Sequence, residues 1–177
     1  LILSLGLLSR LLGGIVGGSG ITLTYAGESY KSSVSGLEIA AESEFGVKLR
    51  DKSASYEVKI YALGTEENDF AFTVGGTEYS WSEDIAGANG GRGEEFTDAF
   101  EVEKTDAGFT ISCGVEKALR DIWADEEIVL PEEIPAGDRF RLEIRSGKTT
   151  LTVSFSVKDP GTIGVEKIEL SPGEIVF

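Results

Sequence analysis

Apolar and polar residues alternate, one by one, through most of the chain after Ile21. Leu151, Val153, Phe155 and Val157 interleave with Thr152, Ser154 and Ser156, and Phe140, Leu142 and Ile144 with Arg139, Arg141, Glu143 and Arg145. The same period of two runs through Tyr56, Val58, Ile60 and Ala62, through Phe45, Val47 and Leu49, and through Phe109, Ile111, Cys113 and Val115. Successive side chains of an extended strand point to opposite faces, so this pattern makes half-buried strands with one face on a core and one in water. Turn signals separate the runs: Gly64-Thr65-Glu66, Gly75-Gly76, Ala88-Asn89-Gly90-Gly91, Asp106-Ala107-Gly108, Gly137-Asp138, Ser146-Gly147-Lys148 and Asp159-Pro160-Gly161. About ten short strands at this spacing specify an all-β fold, an antiparallel β-sandwich of jelly-roll-like topology. Val115–Ala124 is the best helical stretch, and Pro131 and Pro135 bracket an exposed crossing. A one-residue slip of the apolar phase between Val165 and Ile168 predicts a bulge near Glu166-Lys167.

Composition removes several function classes. The 177 residues include no His and one Cys, so no Ser-His-Asp triad, Cys-His dyad, imidazole metal site or intrachain disulfide can be built. A net charge of -15 opposes binding to a phosphate backbone, which needs Lys and Arg to displace counterions. No nucleic acid is expected as a partner. Met and Gln are absent and Asn occurs only at 68 and 89, which fits either the depletion of heat-labile side chains seen in thermophile proteins or a simple compositional bias of a surface protein. Gly87–Gly93 has glycines but no P-loop Lys-Ser/Thr, and Cys113 shares the apolar phase of its strand. No enzyme is expected.

Residues 1–20 stand apart from the rest. Arg10 is their only charge, and the first acid in the chain is Glu28, so the chain from 28 onward carries a net -16. Two units follow: an apolar N-terminal segment with a Gly-rich hinge (Gly13, Gly14, Gly17, Gly18, Gly20) over 1–20, and a β-sandwich domain over 21–177. Ser4, Ser9, Arg10 and Gly13-Gly14 interrupt the apolar run, which is too short for a membrane span. A basic start and small-residue cleavage site, as in a secretory signal, are not visible, and an opening Leu implies removal of something upstream. Helical spacing of Leu1, Leu5, Leu8, Leu12 and Ile15 allows a docked amphipathic helix. Alternation of Leu1, Leu3, Leu5 and Leu7 with Ser4 and Gly6 allows a strand. That strand either opens its own domain or leaves it to complete a neighbour's sheet, pairing with an open edge while alternate side chains fill a groove. The second arrangement is head-to-tail, so it repeats into a filament or tube.

Acids supply the candidate metal ligands. Glu66, Glu67 and Asp69 lie in one turn; Glu83 and Asp84 precede the Gly-rich loop, and Glu94, Glu95 and Asp98 follow it. Calcium takes six to eight oxygens from such loops, but the spacing of an EF-hand is absent. Solvated loop tips give the same composition. Trp81, Trp123, Tyr79 and Tyr61 offer aromatic faces for stacking on sugar rings, or cross-strand and core pairs.

An apolar N-terminal strand, a Gly hinge and an acidic, Cys-poor β-sandwich resemble the secreted fibre-forming subunits of the TasA/camelysin kind. The layout also resembles the cannula-tube subunits of hyperthermophilic archaea. The resemblance implies a jelly-roll subunit at the cell surface, joined to copies of itself by donor strands, and for cannulae calcium at the subunit contacts. It rests on layout, so no family residue carries over. A carbohydrate-binding β-sandwich module and a virion or tail component are the other readings that the residues allow.

Overall fold

A computed structural model describes residues 19–87, 93–112 and 115–158. The expected strand at Leu1, Leu3, Leu5 and Leu7, the hinge glycines 13, 14, 17 and 18, Cys113 and the bulge near 166-167 lie outside these residues. Two main sheets pack face to face. The first runs β2-β1-β4-β9-β8, from β1 (Ile21–Tyr25), β2 (Glu28–Tyr30), β4 (Ser43–Leu49), β8 (Glu103–Lys104) and β9 (Gly108–Ile111). The second runs β3-β12-β11-β5, from β3 (Val34–Ile39), β5 (Glu57–Ala62), β11 (Phe140–Ser146) and β12 (Thr149–Val157). A smaller sheet, β10-β6-β7, joins β6 (Ala71–Val74), β7 (Thr77–Ser80) and β10 (Ile128–Val129).

Among the described residues every pairing is antiparallel except β12 with β3, which is parallel and slips register between Val153 and Phe155. The expected all-β, mostly antiparallel sandwich is what forms. Alternation places the core: Phe45 and Val47 of β4 and Leu151, Val153 and Phe155 of β12 are buried, with Glu44, Lys48, Thr150 and Thr152 outside or half-outside. The turn signals at 64–66, 75–76, 106–108, 137–138 and 146–148 separate strands as expected, and those at 88–91 and 159–161 lie outside the described residues. Gly75 and Gly76, at φ +54 and +83, form the two-residue β6–β7 turn, whose positive φ values match the strand twist. The one α-helix among the described residues, α1 (Val115–Ile122), begins at the expected residue and buries Val115, Ala118 and Leu119.

Aromatic rings fill the centre. Phe140 is fully buried and meets Trp81, Phe96 and Phe100 edge-on, at centroid distances of 5.7, 6.3 and 4.7 Å. Edge-to-face contact aligns the positive ring edge with the negative ring face and adds to the area buried. Two charged residues break the inside–outside alternation. Arg139 and Glu143 were expected to face water, yet Arg139 is 3% and Glu143 8% exposed. Arg139 lies beneath the 131–138 crossing with its guanidinium 5.0 Å from the Phe70 ring centre, and Glu143 is covered by the arginines on either side of it.

Candidate functional site

One end of the sandwich carries a groove of about 850 Å³. Its walls come from the 130–139 crossing, the start of α1, and the ends of β3 and β12. Val115, Leu130, Pro131, Ile134, Pro135 and Val157 supply apolar lining. Acids rim it: Glu132 and Glu133 are exposed, Glu38 pairs with Lys158 at 2.6 Å, and Glu116 pairs with Arg120 at 2.7 Å.

Polar straps hold the crossing in place. Pro131 and Pro135 lack backbone donors, which disfavours sheet pairing through this segment, and side chains fix it instead. The Arg139 guanidinium donates to the carbonyls of Asn68 and Pro135. Asn68 Nδ2 donates to the Asp138 carbonyl at 3.2 Å, and both Asp138 carboxylate oxygens accept from the Gly36 amide, at 3.1 and 3.0 Å. The last of these ties the crossing to the outermost strand, β3. Burial lowers the Arg139 pKa, and nearby Asp69 opposes that shift. Its Nε has no hydrogen-bond partner.

The expected metal ligands are not gathered. Glu66 and Glu67 sit exposed on a 3-10 turn, while Asp69 turns inward to accept from the Ser82 amide (2.8 Å) and the Ser80 hydroxyl (2.9 Å). Burial pushes the Asp69 carboxyl up, but these bonds together with the Phe70 amide outweigh it and hold the pKa below the usual value. Asp84 accepts from the Ser80 amide at 2.7 Å, capping the π-helical turn Trp81–Ile85, and Glu83 is exposed beside it. Glu95 pairs with Lys59 at 2.9 Å, and Glu94 and Asp98 are exposed. Among the described residues no three His, Cys, Asp or Glu side chains come together in a metal-binding group.

The aromatics are mostly core. Trp81 has no exposed surface, donates its Nε1–H to the Leu63 carbonyl at 3.0 Å and stacks on Phe70, so it has no free face for a sugar ring. Trp123 packs on Tyr79 and Phe72 at 5.0 and 6.0 Å. Tyr61 is 5% exposed. No described helix is long and apolar enough to cross a membrane. Compared with known proteins, the chain matches no family model, no curated protein and no solved structure.

The sequence marked the crossing through Pro131 and Pro135 but not the groove beneath it. Its one available signal was Arg139, a charge directly before a buried strand and two residues after the Ala136-Gly137 pair.

Proposed function

We propose that the chain is a structural subunit of an extracellular filament or tube, polymerising with copies of itself by donation of its N-terminal strand. The observation that carries this reading is the split of charge along the chain. Residues 1–18 hold Arg10 as their only charge and are rich in Leu, Ile and Gly, whereas the sandwich that follows is strongly acidic. An apolar segment of that length on an acidic body lowers its free energy by covering itself with protein, at about 25 cal/mol per Å² of apolar surface removed from water. The body has strand edges that could receive it, since β2, β8 and β3 are each outermost in their sheets. Acid repulsion between copies is then a cost of assembly, and calcium bound between acidic faces lowers that cost. A jelly-roll order of strands and a cell-surface location belong to the same reading.

Electron microscopy and sedimentation of the full chain, and of the chain lacking residues 1–12, test it. Polymers are expected from the full chain and monomers from the truncated one. Equal polymerisation of both would overturn the reading. A chelator is expected to shorten the polymers; unchanged lengths would remove calcium from it.

A further inference from the structure

We propose that the groove under the 130–139 crossing seats the N-terminal segment of a second copy of the chain. The inference rests on the assembly reading above and gives it an address. Topology is the first argument. Ile21 pairs with Leu49 and the Gly20 carbonyl accepts from the Arg50 amide at 2.7 Å, so residues 1–18 precede the body at the Leu49 end of β4. The groove is at the other end. Ser43, the first residue of β4, pairs with Ile111, just before α1, and follows Ile39, the last residue of β3. Ile39 in turn accepts from the Lys158 amide directly after Val157, and the Arg139 amide donates to Phe155. Six residues of strand at about 3.4 Å each put the two ends roughly 20 Å apart. A donor at one end and an acceptor at the other make a heterologous contact, which repeats from copy to copy.

Charge selects the occupant. The exposed rim acids Glu132 and Glu133 favour a segment that brings no acid of its own. Residues 1–18 meet that condition and carry Arg10, whereas residues 159–177 carry Asp159, Glu166, Glu169 and Glu174 against Lys167 alone. Strand β3 supplies the backbone. It is the outermost strand of its sheet, and Gly36 and Glu38 of that strand line the groove. The Gly36 amide is held by the Asp138 carboxylate, so a strand laid along this edge would pair with the rest of β3 while alternate leucines face Ile134, Leu130 and Val115.

Disulfide trapping in the full-length chain tests the address, with Cys113→Ala removing the native thiol. Ala136→Cys places a thiol on an exposed groove residue, Leu5→Cys one on the donor, and Lys52→Cys a control on an exposed residue at the opposite end. Mixed copies carrying Leu5→Cys and Ala136→Cys should link into heterodimers at least about tenfold faster than copies carrying Leu5→Cys and Lys52→Cys, the effective-concentration gain of a bound segment. A chain carrying both Leu5→Cys and Ala136→Cys should give a ladder of linked copies. A monomer closed on itself would overturn the proposal in favour of the chain's own N-terminus. Preferential linking of Ile168→Cys to Ala136→Cys would overturn it in favour of the C-terminal segment. Polymers that need residues 1–12 but never link to Ala136→Cys would overturn the address while the assembly reading stands. Absence of polymer in every preparation would overturn both.

Discussion

The Tyr56 hydroxyl lies 2.8 Å from the Gly108 carbonyl oxygen, and so ties the strand opening at β5 to the turn that opens β9 in the opposite sheet. The same hydroxyl is 2.9 Å from the Thr105 carbonyl, and Lys104 donates to the Tyr56 carbonyl with its ammonium 4.2 Å from the ring centre. Tyr56 therefore joins the two sheets through both its hydroxyl and its main-chain carbonyl.

Tyr56→Phe should cost about 1 kcal/mol in urea unfolding, the net worth of one hydrogen bond. The loss stays modest because the Gly108 carbonyl keeps the Thr105 amide at 2.8 Å. Burial raises the Tyr56 pKa above its ordinary value, and Asp106 adds to that. A raised folded pKa means that the contribution is complete below the unfolded value, near pH 10, and is lost as pH climbs through the folded value. The wild type should thus lose stability above about pH 10 more steeply than Tyr56→Phe. Parallel alkaline limbs for the two proteins would refute the role given to this hydroxyl.

Gly108 has a second constraint. A Cβ at this position would sit 1.9 Å from the Phe45 carbonyl oxygen and 3.0 Å from the Gly46 Cα, both backbone atoms. Neither can swing away, so Gly108→Ala must push β9 off β4 and is expected to cost about 2–4 kcal/mol. Gly46→Ala is the control. Its Cβ would meet the Thr24 Cβ at an ordinary 3.5 Å, and the cost should be within about 1 kcal/mol. Similar denaturation midpoints for the two variants would contradict the close approach of the strands.

Strand by strand, most of the fold was legible because a half-buried sheet writes its faces directly into the sequence. Phe45-Val47, Val58-Ile60 and Leu151-Val153-Phe155 alternate in sequence and are buried in space. The helix at Val115 was legible too. What alternation cannot carry is which strands become neighbours. The parallel pairing of β3 with β12 joins residues more than a hundred positions apart and has no local signature. Burial of Arg139 and Glu143 escaped because alternation records which face a side chain takes, not what covers it. For Arg139 this is the 131–138 segment, and for Glu143 it is Arg145, whose Nε lies 3.1 Å from its carboxylate, and Arg141 at 3.3 Å. The groove escaped as well, because its walls come from four separate stretches of chain.

Asp69 should govern part of the acid response. Its folded pKa is depressed, so its contribution is present above the unfolded value, near 3.8, and is lost as pH falls through the folded one. Asp69→Asn should cost about 1–3 kcal/mol at pH 7, since the Ser82 amide and Ser80 hydroxyl lose a charged acceptor. That gap should narrow as pH falls below about 4. A difference between the two proteins that stays constant from pH 7 to pH 2 would show that packing, not ionisation, sets the cost.

Arg139 offers the sharpest test of how the crossing is held. Its guanidinium spans two carbonyls, one on Asn68 and one on Pro135, while its face covers Phe70. A planar fork can reach both carbonyls at once; an ammonium on a flexible stem presents a point charge and stacks poorly. Arg139→Lys should therefore fail to restore what Arg139→Met loses, and each should cost about 2–4 kcal/mol, because buried carbonyls are stranded. The damage should be local before it is global. Amide exchange at Gly36, which donates to the Asp138 carboxylate of the crossing, is expected to quicken in both variants under conditions where β11 and β12 remain protected. Exchange that quickens equally in β11 and at Gly36 would mean that Arg139 supports the core as a whole. Full rescue by Lys would mean that its charge alone, and not the two-pronged reach, holds the 131–138 segment over the groove.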